Sequence, residues 1–130
     1  SLRYESMPVV EVRTNIAELP AGFEEGIQDV VAETLGRPAE FVFVDIQTGR
    51  RLIHGKQPGD IFIIDVKSIG LIDEQSNSHH ASAITKFVRK RLRLPEAVVL
   101  IEFHPQQPHL VAFDGETLEV KLAHLVLKKN

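Results

Sequence analysis

Leu35-Gly36-Arg37-Pro38-Ala39-Glu40-Phe41-Val42-Phe43-Val44-Asp45-Ile46 is answered 57 positions later (92 minus 35) by Leu92-Arg93-Leu94-Pro95-Glu96-Ala97-Val98-Val99-Leu100-Ile101-Glu102-Phe103. In both stretches a leucine-ended helical pattern meets a proline, which cannot continue a helix, and the chain resumes as an apolar run rich in β-branched residues. The segments ahead of the helices repeat too: Val10-Glu11-Val12-Arg13-Thr14 matches Ile64-Asp65-Val66-Lys67-Ser68 in kind, at an offset of 54 (64 minus 10). Loops absorb the difference between the offsets, and each half reads strand, helix, strand.

Within the first half Phe23, Ile27, Val30, Val31 and Leu35 fall at helical spacing, and Gly36 suits the C-terminal stop. In the second, Asn77 or Ser78 is the expected cap of a helix whose buried stripe is Ala81, Ile84, Val88 and Leu92. Lys86, Arg89, Lys90, Arg91 and Arg93 crowd the end of that helix, where the dipole favours cations, so they read as a solvated face. Two right-handed βαβ crossovers put both helices on one side of a four-stranded mixed sheet, an α/β fold. Phe41 to Val44, Ile61 to Ile64 and Val98 to Ile101 are continuously apolar, as in strands covered on both faces. The side without helices therefore needs an external cover, and association through the sheets is expected.

The chain's 130 residues and 43% hydrophobic content suit one domain with a buried core. A net charge of -3 gives no electrostatic case for nucleic acid, and no apolar run approaches the roughly 20 residues that span a bilayer. The absence of cysteine excludes disulfides, thiolate metal sites and cysteine catalysis. His79 and His80 are adjacent rather than one turn apart, and His54, His104, His109 and His124 are scattered, so no metal site is read and the histidines are taken as surface or capping residues.

Met7-Pro8 heads the first strand. A chain beginning at Pro8 would carry a secondary amine able to act as base or nucleophile, whereas the same nitrogen in a peptide bond is a planar amide without useful basicity. Residues 1–6 (Ser1-Leu2-Arg3-Tyr4-Glu5-Ser6) are read as an N-terminal extension or cloning remnant rather than a folded element, residues 7–118 as the domain, and residues 119–130 as a C-terminal extension. Leu118, Val120 and Leu122 alternate, suggesting an added strand or subunit clasp.

Met7-Pro8-Val9-Val10-Glu11-Val12-Arg13-Thr14-Asn15-Ile16, Gly36-Arg37-Pro38, Val66-Lys67-Ser68-Ile69-Gly70 and Val111-Ala112-Phe113-Asp114-Gly115, in this order and with the duplicated unit, resemble the macrophage migration inhibitory factor and D-dopachrome tautomerase family. The resemblance implies a homotrimer with sheets inside and helices outside. It also implies keto–enol tautomerisation of phenylpyruvate-like or dopachrome-like compounds, with no cofactor. Pro8 would be the catalytic base. Arg37, where the family commonly has lysine, would hold a substrate carboxylate; by position alone it is a helix-terminal cation. Ile69 would offer a backbone N–H, with Lys67 and Ser68 beside it. Phe41, Val111 and Phe113 match pocket walls, although on pattern alone they are core residues.

Leu100 and Glu102 are read at positions contributed by a neighbouring subunit, where the mammalian cytokine has tyrosine and asparagine. Leu100 removes a hydroxyl, and an ionised Glu102 would repel an acidic substrate, although Asp45 is its counterpart in the repeat and suggests a structural pair. Ile61 and Ile64 replace the thiol motif of some members. The alternative function is a secreted cytokine-like ligand of a cell-surface receptor with a vestigial pocket; a purely structural trimer retaining Ser1 to Ser6 is a third. Either of the first two implies a cytoplasmic location, or secretion without a classical signal peptide.

Overall fold

Alternating burial separates the two faces of the sheet. In the computed structural model, which describes residues 6–129, strand β1 (Val9–Thr14) buries Val10, Val12 and Thr14 and turns Val9, Glu11 and Arg13 the other way. Strands β2 (Phe43–Gln47), β3 (Ile61–Ser68) and β4 (Val98–Pro105) complete a sheet of order β2-β1-β3-β4. β1 runs parallel to β2 and antiparallel to β3, and β3 runs parallel to β4. Two strand–helix–strand units thus meet at a central antiparallel pair, the mixed sheet expected from the repeat.

Helices α1 (Phe23–Leu35) and α2 (Asn77–Leu92) contribute Phe23, Ile27, Val31, Leu35, Ile84 and Val88 to one core with Val10, Val12, Phe62, Ile64 and Val66, so both cover the same side of the sheet. They approach closely at Gly26, where a Cβ would stand 2.4 Å from the ring of Phe87. The repeat extends to the helix ends: Gly36 (φ 71°) and Arg93 (φ 57°), also 57 positions apart (93 minus 36), are both left-handed caps. At Gly36 this conformation costs little; at Arg93 it places a side-chain-bearing residue in a sparsely populated region.

Three local expectations are corrected. Neither Asn77 nor Ser78 caps α2, which begins at Asn77; Asp73 instead accepts the backbone N–H and hydroxyl of Ser76, each at 2.8 Å, while Asn77 accepts the Asp73 N–H at 2.9 Å. The hydrogen bond from the Ser76 hydroxyl, followed by that from its backbone N–H, holds the Asp73 carboxyl below its ordinary value near 3.8. Phe41 ends a 3₁₀ turn (Ala39–Phe41) and β2 starts only at Phe43, because Val42 turns into the core. Residues 118–129 form helix α3 (Leu118–Lys129), not a strand: Leu118, Leu122 and Leu125 also satisfy helical spacing, and helical packing against the domain decides between the two periods.

The face without helices is less apolar than expected. Ile61, Ile63, Val98 and Leu100 cluster toward one end, but Asp45, Glu11, Asp65 and Glu102 are successive cross-strand partners and form one carboxylate row across all four strands. Like charges in such positions repel. Lys67 at 2.9 Å from Glu11 and Arg13 at 3.7 Å from Asp65 offset that repulsion, and His104 Nε2 hydrogen-bonds Asp65 at 2.6 Å. Phe43 and Leu100 remain 47% and 52% exposed on this face. Among the described residues no helix is long and apolar enough to cross a membrane.

Candidate active site

Pro8 is buried at the entrance to β1, and its carbonyl accepts the Phe43 N–H at 2.9 Å, continuing the parallel pairing by one step. Its nitrogen is acylated by Met7, which is itself 5% exposed and packs with Ile69 and Leu118 in a second apolar cluster walled by Phe41, Val111 and Phe113. Four of the expected site residues, Ile69, Phe41, Val111 and Phe113, are therefore gathered around the residue attached to the Pro8 nitrogen.

Local sequence explains each wall. Asp114 (φ 51°) and Gly115 (φ 89°) both adopt positive φ, as a tight two-residue turn requires, and join β5 (Ala112–Phe113) to β6 (Glu116–Thr117). The returning chain donates the Leu118 N–H to the Val111 carbonyl at 2.8 Å, which brings the start of α3 against the cluster. Lys121 reaches back over the Phe113 ring, 5.8 Å from its centre. Phe113 also meets Phe43 edge-on, with centroids 6.3 Å apart.

Arg37 follows the Gly36 cap, donating its N–H to Ala32 at 2.9 Å. With Ile69, Gly70, Leu71, Pro108 and Leu122 it lines a cleft of about 270 Å³ that shares Ile69 with the apolar cluster. The cleft holding Arg37 and the apolar cluster are thus neighbours. The turn carrying Ile69 is fixed from behind by His80, whose Nε2 lies 2.8 Å from the Leu71 carbonyl and whose Nδ1 lies 2.8 Å from the Thr34 hydroxyl. His80 is 4% exposed, which corrects the surface reading of this histidine: it is a buried link between both helices and the turn.

The Ile69 N–H, expected to be a donor to substrate, is engaged by the Ser6 carbonyl at 3.1 Å. Ser6 is 1% exposed, so the last residue of the extension is packed into the fold, whereas Ser1 to Glu5 lie outside the described residues. Burying Met7 contributes about 1.5 to 3 kcal/mol and the hydrogen bond about 0.5 to 1.5 kcal/mol. Against these stand the Ser6 hydroxyl, buried without a partner among the described residues, at about 1 to 3 kcal/mol, and the φ of 32° at Met7, at about 1 to 3 kcal/mol.

Other expected residues are not brought into the pocket. Lys67 projects from the opposite face and pairs with Glu11. Ser68 is buried, its hydroxyl also unpartnered among the described residues. Leu100 and Glu102 lie on the face without helices, apart from Pro8 and Arg37. Sequence reading missed Met7 as a pocket occupant and Leu118 and Leu122 as walls; the helical spacing of the two leucines was the available signal.

The family description "Macrophage migration inhibitory factor (MIF)" matches residues 7–119. The chain belongs to the macrophage migration inhibitory factor family. MIF-like protein mif-2 of Caenorhabditis elegans is 39% identical over 114 residues, covering 86% of this chain and 95% of the relative. D-dopachrome decarboxylase of Mus musculus is 29% identical over 115 residues, covering 86% and 98%. Among solved structures, macrophage migration inhibitory factor from Trichinella spiralis superposes with a TM-score of 0.78 at 24% identity, covering 84% of this chain and 98% of that one. The protein from Oncomelania hupensis gives 0.77 at 22%, covering 93% and 90%. The MIF fold, with its four-stranded mixed sheet, is thereby established for this chain.

Proposed function

We propose that this chain, when it begins at Pro8, is a keto–enol tautomerase of small aromatic keto acids of the phenylpyruvate or dopachrome type. The observation that carries this reading is the position of Met7: the group bonded to the Pro8 nitrogen fills an apolar slot beside the Ile69 N–H and the Arg37 cleft. Without Met7, that slot would open onto a free secondary amine.

In the keto-to-enol direction the uncharged Pro8 amine takes a proton from the carbon next to the substrate carbonyl. The electron pair of that C–H bond moves to the carbonyl oxygen, which takes up a proton from water while the Pro8 ammonium returns its own to water, giving the enol; the reverse sequence gives the ketone. Arg37 pairs with the substrate carboxylate, a charge-assisted contact that its planar fork can make bidentate. The Ile69 N–H donates to a substrate oxygen, and Phe41, Val111 and Phe113 hold the aromatic ring. Apolar walls and a neighbouring cation both disfavour the ammonium form of Pro8, keeping the base available near neutral pH.

The same reading includes assembly as a homotrimer through the sheet face that lacks helices, where Leu100 and Phe43 stay exposed in one protomer. Leu100 and Glu102 would then reach a neighbour's pocket. For a chain that keeps Met7, the buried amide at Pro8 favours the second role, a cytokine-like ligand of a cell-surface receptor. The deciding assay follows enol formation from phenylpyruvate, with chains beginning at Pro8 and chains retaining Met7. Turnover only by the first supports the enzyme; turnover by neither leaves the ligand role.

A further inference from the structure

The Ser6 carbonyl and the Met7 side chain together reproduce what an aromatic keto acid would offer this pocket: an oxygen for the Ile69 N–H and an apolar body for the slot. We propose that Ser6–Met7 is an internal plug that competes with substrate, so that a chain carrying it is closed to ligand as well as deprived of its amine. This inference rests on the pocket assigned above and adds its regulation.

Both halves of the contact are specific. Ser6 and Met7 are 1% and 5% exposed, and Met7 enters the cluster at φ 32°, a conformation uncommon for a residue with a side chain. Leu118, fully buried at the start of α3, closes the slot over Met7 from the opposite end of the chain. The segment before β1 and the start of α3 thus meet at one pocket, one as occupant and one as wall.

Release follows from hydrolysis of the Met7–Pro8 amide. Water is added across the bond, leaving a carboxylate on Met7 and a secondary amine on Pro8. Because Met7 and Pro8 are both buried, a protease reaches the bond only while the segment is undocked. Docking therefore protects the closed form from its own activation, and early removal of the segment commits the chain to the open form.

Met7 is the sole methionine, so methyl-¹³C methionine labelling of the full chain gives one signal from the plug. The methyl group is expected to show ring-current displacement and cross-peaks to the Phe41 and Phe113 rings; a random-coil signal without cross-peaks overturns the proposal. Phenylacetate, an acid with no ketone to enolise, serves as the binding probe, followed by the Ile69 amide signal. Its affinity is expected to be at least tenfold weaker for the full chain than for the chain beginning at Pro8. In the full chain, Met7→Gly suits the positive φ and empties the slot, so it should recover at least threefold in affinity while remaining inactive. Equal affinity of the full and shortened chains overturns the plug even if the shortened chain turns over phenylpyruvate. A docked methyl group and restored binding without turnover retain the plug and remove the tautomerase reading.

Discussion

His80 Nε2 lies 2.8 Å from the carbonyl oxygen of Leu71, a residue held at φ 66° immediately after Ile69 and Gly70. A carbonyl only accepts, so Nε2 carries the hydrogen; in the uncharged ring Nδ1 then accepts from the Thr34 hydroxyl. A bulky residue in the left-handed region persists where its surroundings fix it, and here a buried ring from α2 does so. His80→Phe should lower stability by about 2 to 3 kcal/mol, because it leaves buried polar partners unmade. Thr34→Val should cost less, and chemical denaturation of the two variants measures the order. If both match the parent, the link does not hold the turn.

The contact of Gly26 with Phe87 predicts a sign reversal. Alanine is favoured over glycine in a helix interior by about 1 kcal/mol, but a Cβ at Gly26 meets the Phe87 ring at 2.4 Å, and overpacking costs about 1 to 3 kcal/mol. Gly26→Ala should therefore destabilise the parent chain. In a Phe87→Ala background, with the ring gone, the same change should stabilise by about 1 kcal/mol. A thermodynamic cycle over the four proteins reads the difference directly.

Asp73 gives the start of α2 a pH dependence. Its carboxyl is lowered in the folded chain, first by the Ser76 hydroxyl and then by the Ser76 backbone N–H. A lowered folded value means stabilisation that is fully present above the unfolded value and lost as pH falls through the folded one, below about 3.8. Asp73→Ala should accordingly lower the melting temperature at pH 7, with the difference from the parent shrinking toward pH 2. A difference constant across that range would place the effect elsewhere.

If Arg37 holds the substrate carboxylate, Arg37→Met in a chain beginning at Pro8 should raise KM for phenylpyruvate about 10- to 100-fold, matching the roughly 1.5 to 3 kcal/mol of a charge-assisted contact. Arg37→Lys should recover part of the loss, because the charge remains while the fork does not. An unchanged KM would remove the anchor.

The repeat made the fold legible because each half needs the same helix stop and strand entry, and Gly36 and Arg93 show that equivalence carried down to backbone conformation. Ile69, Phe41, Val111 and Phe113 were legible as one group through resemblance, since apolar pattern alone marks them as core. Met7 was not, because nothing in a lone methionine before a proline tells whether its side chain turns inward. Residues 118–129 misled because Leu118, Val120 and Leu122 satisfy a strand period while Leu118, Leu122 and Leu125 satisfy a helical one; contact with the hairpin wall resolves the ambiguity. The carboxylate row was hidden for a related reason: Glu11, Asp45, Asp65 and Glu102 are distant in sequence and align only through strand register.

The Pro8 amine is the centre of this account, and its most direct test is the rate of phenylpyruvate tautomerisation by a chain beginning at Pro8, set against the same chain carrying Pro8→Gly. Loss of a positioned general base predicts a fall of about 100-fold or more in kcat/KM with the fold retained. Equal rates in two folded proteins would contradict it.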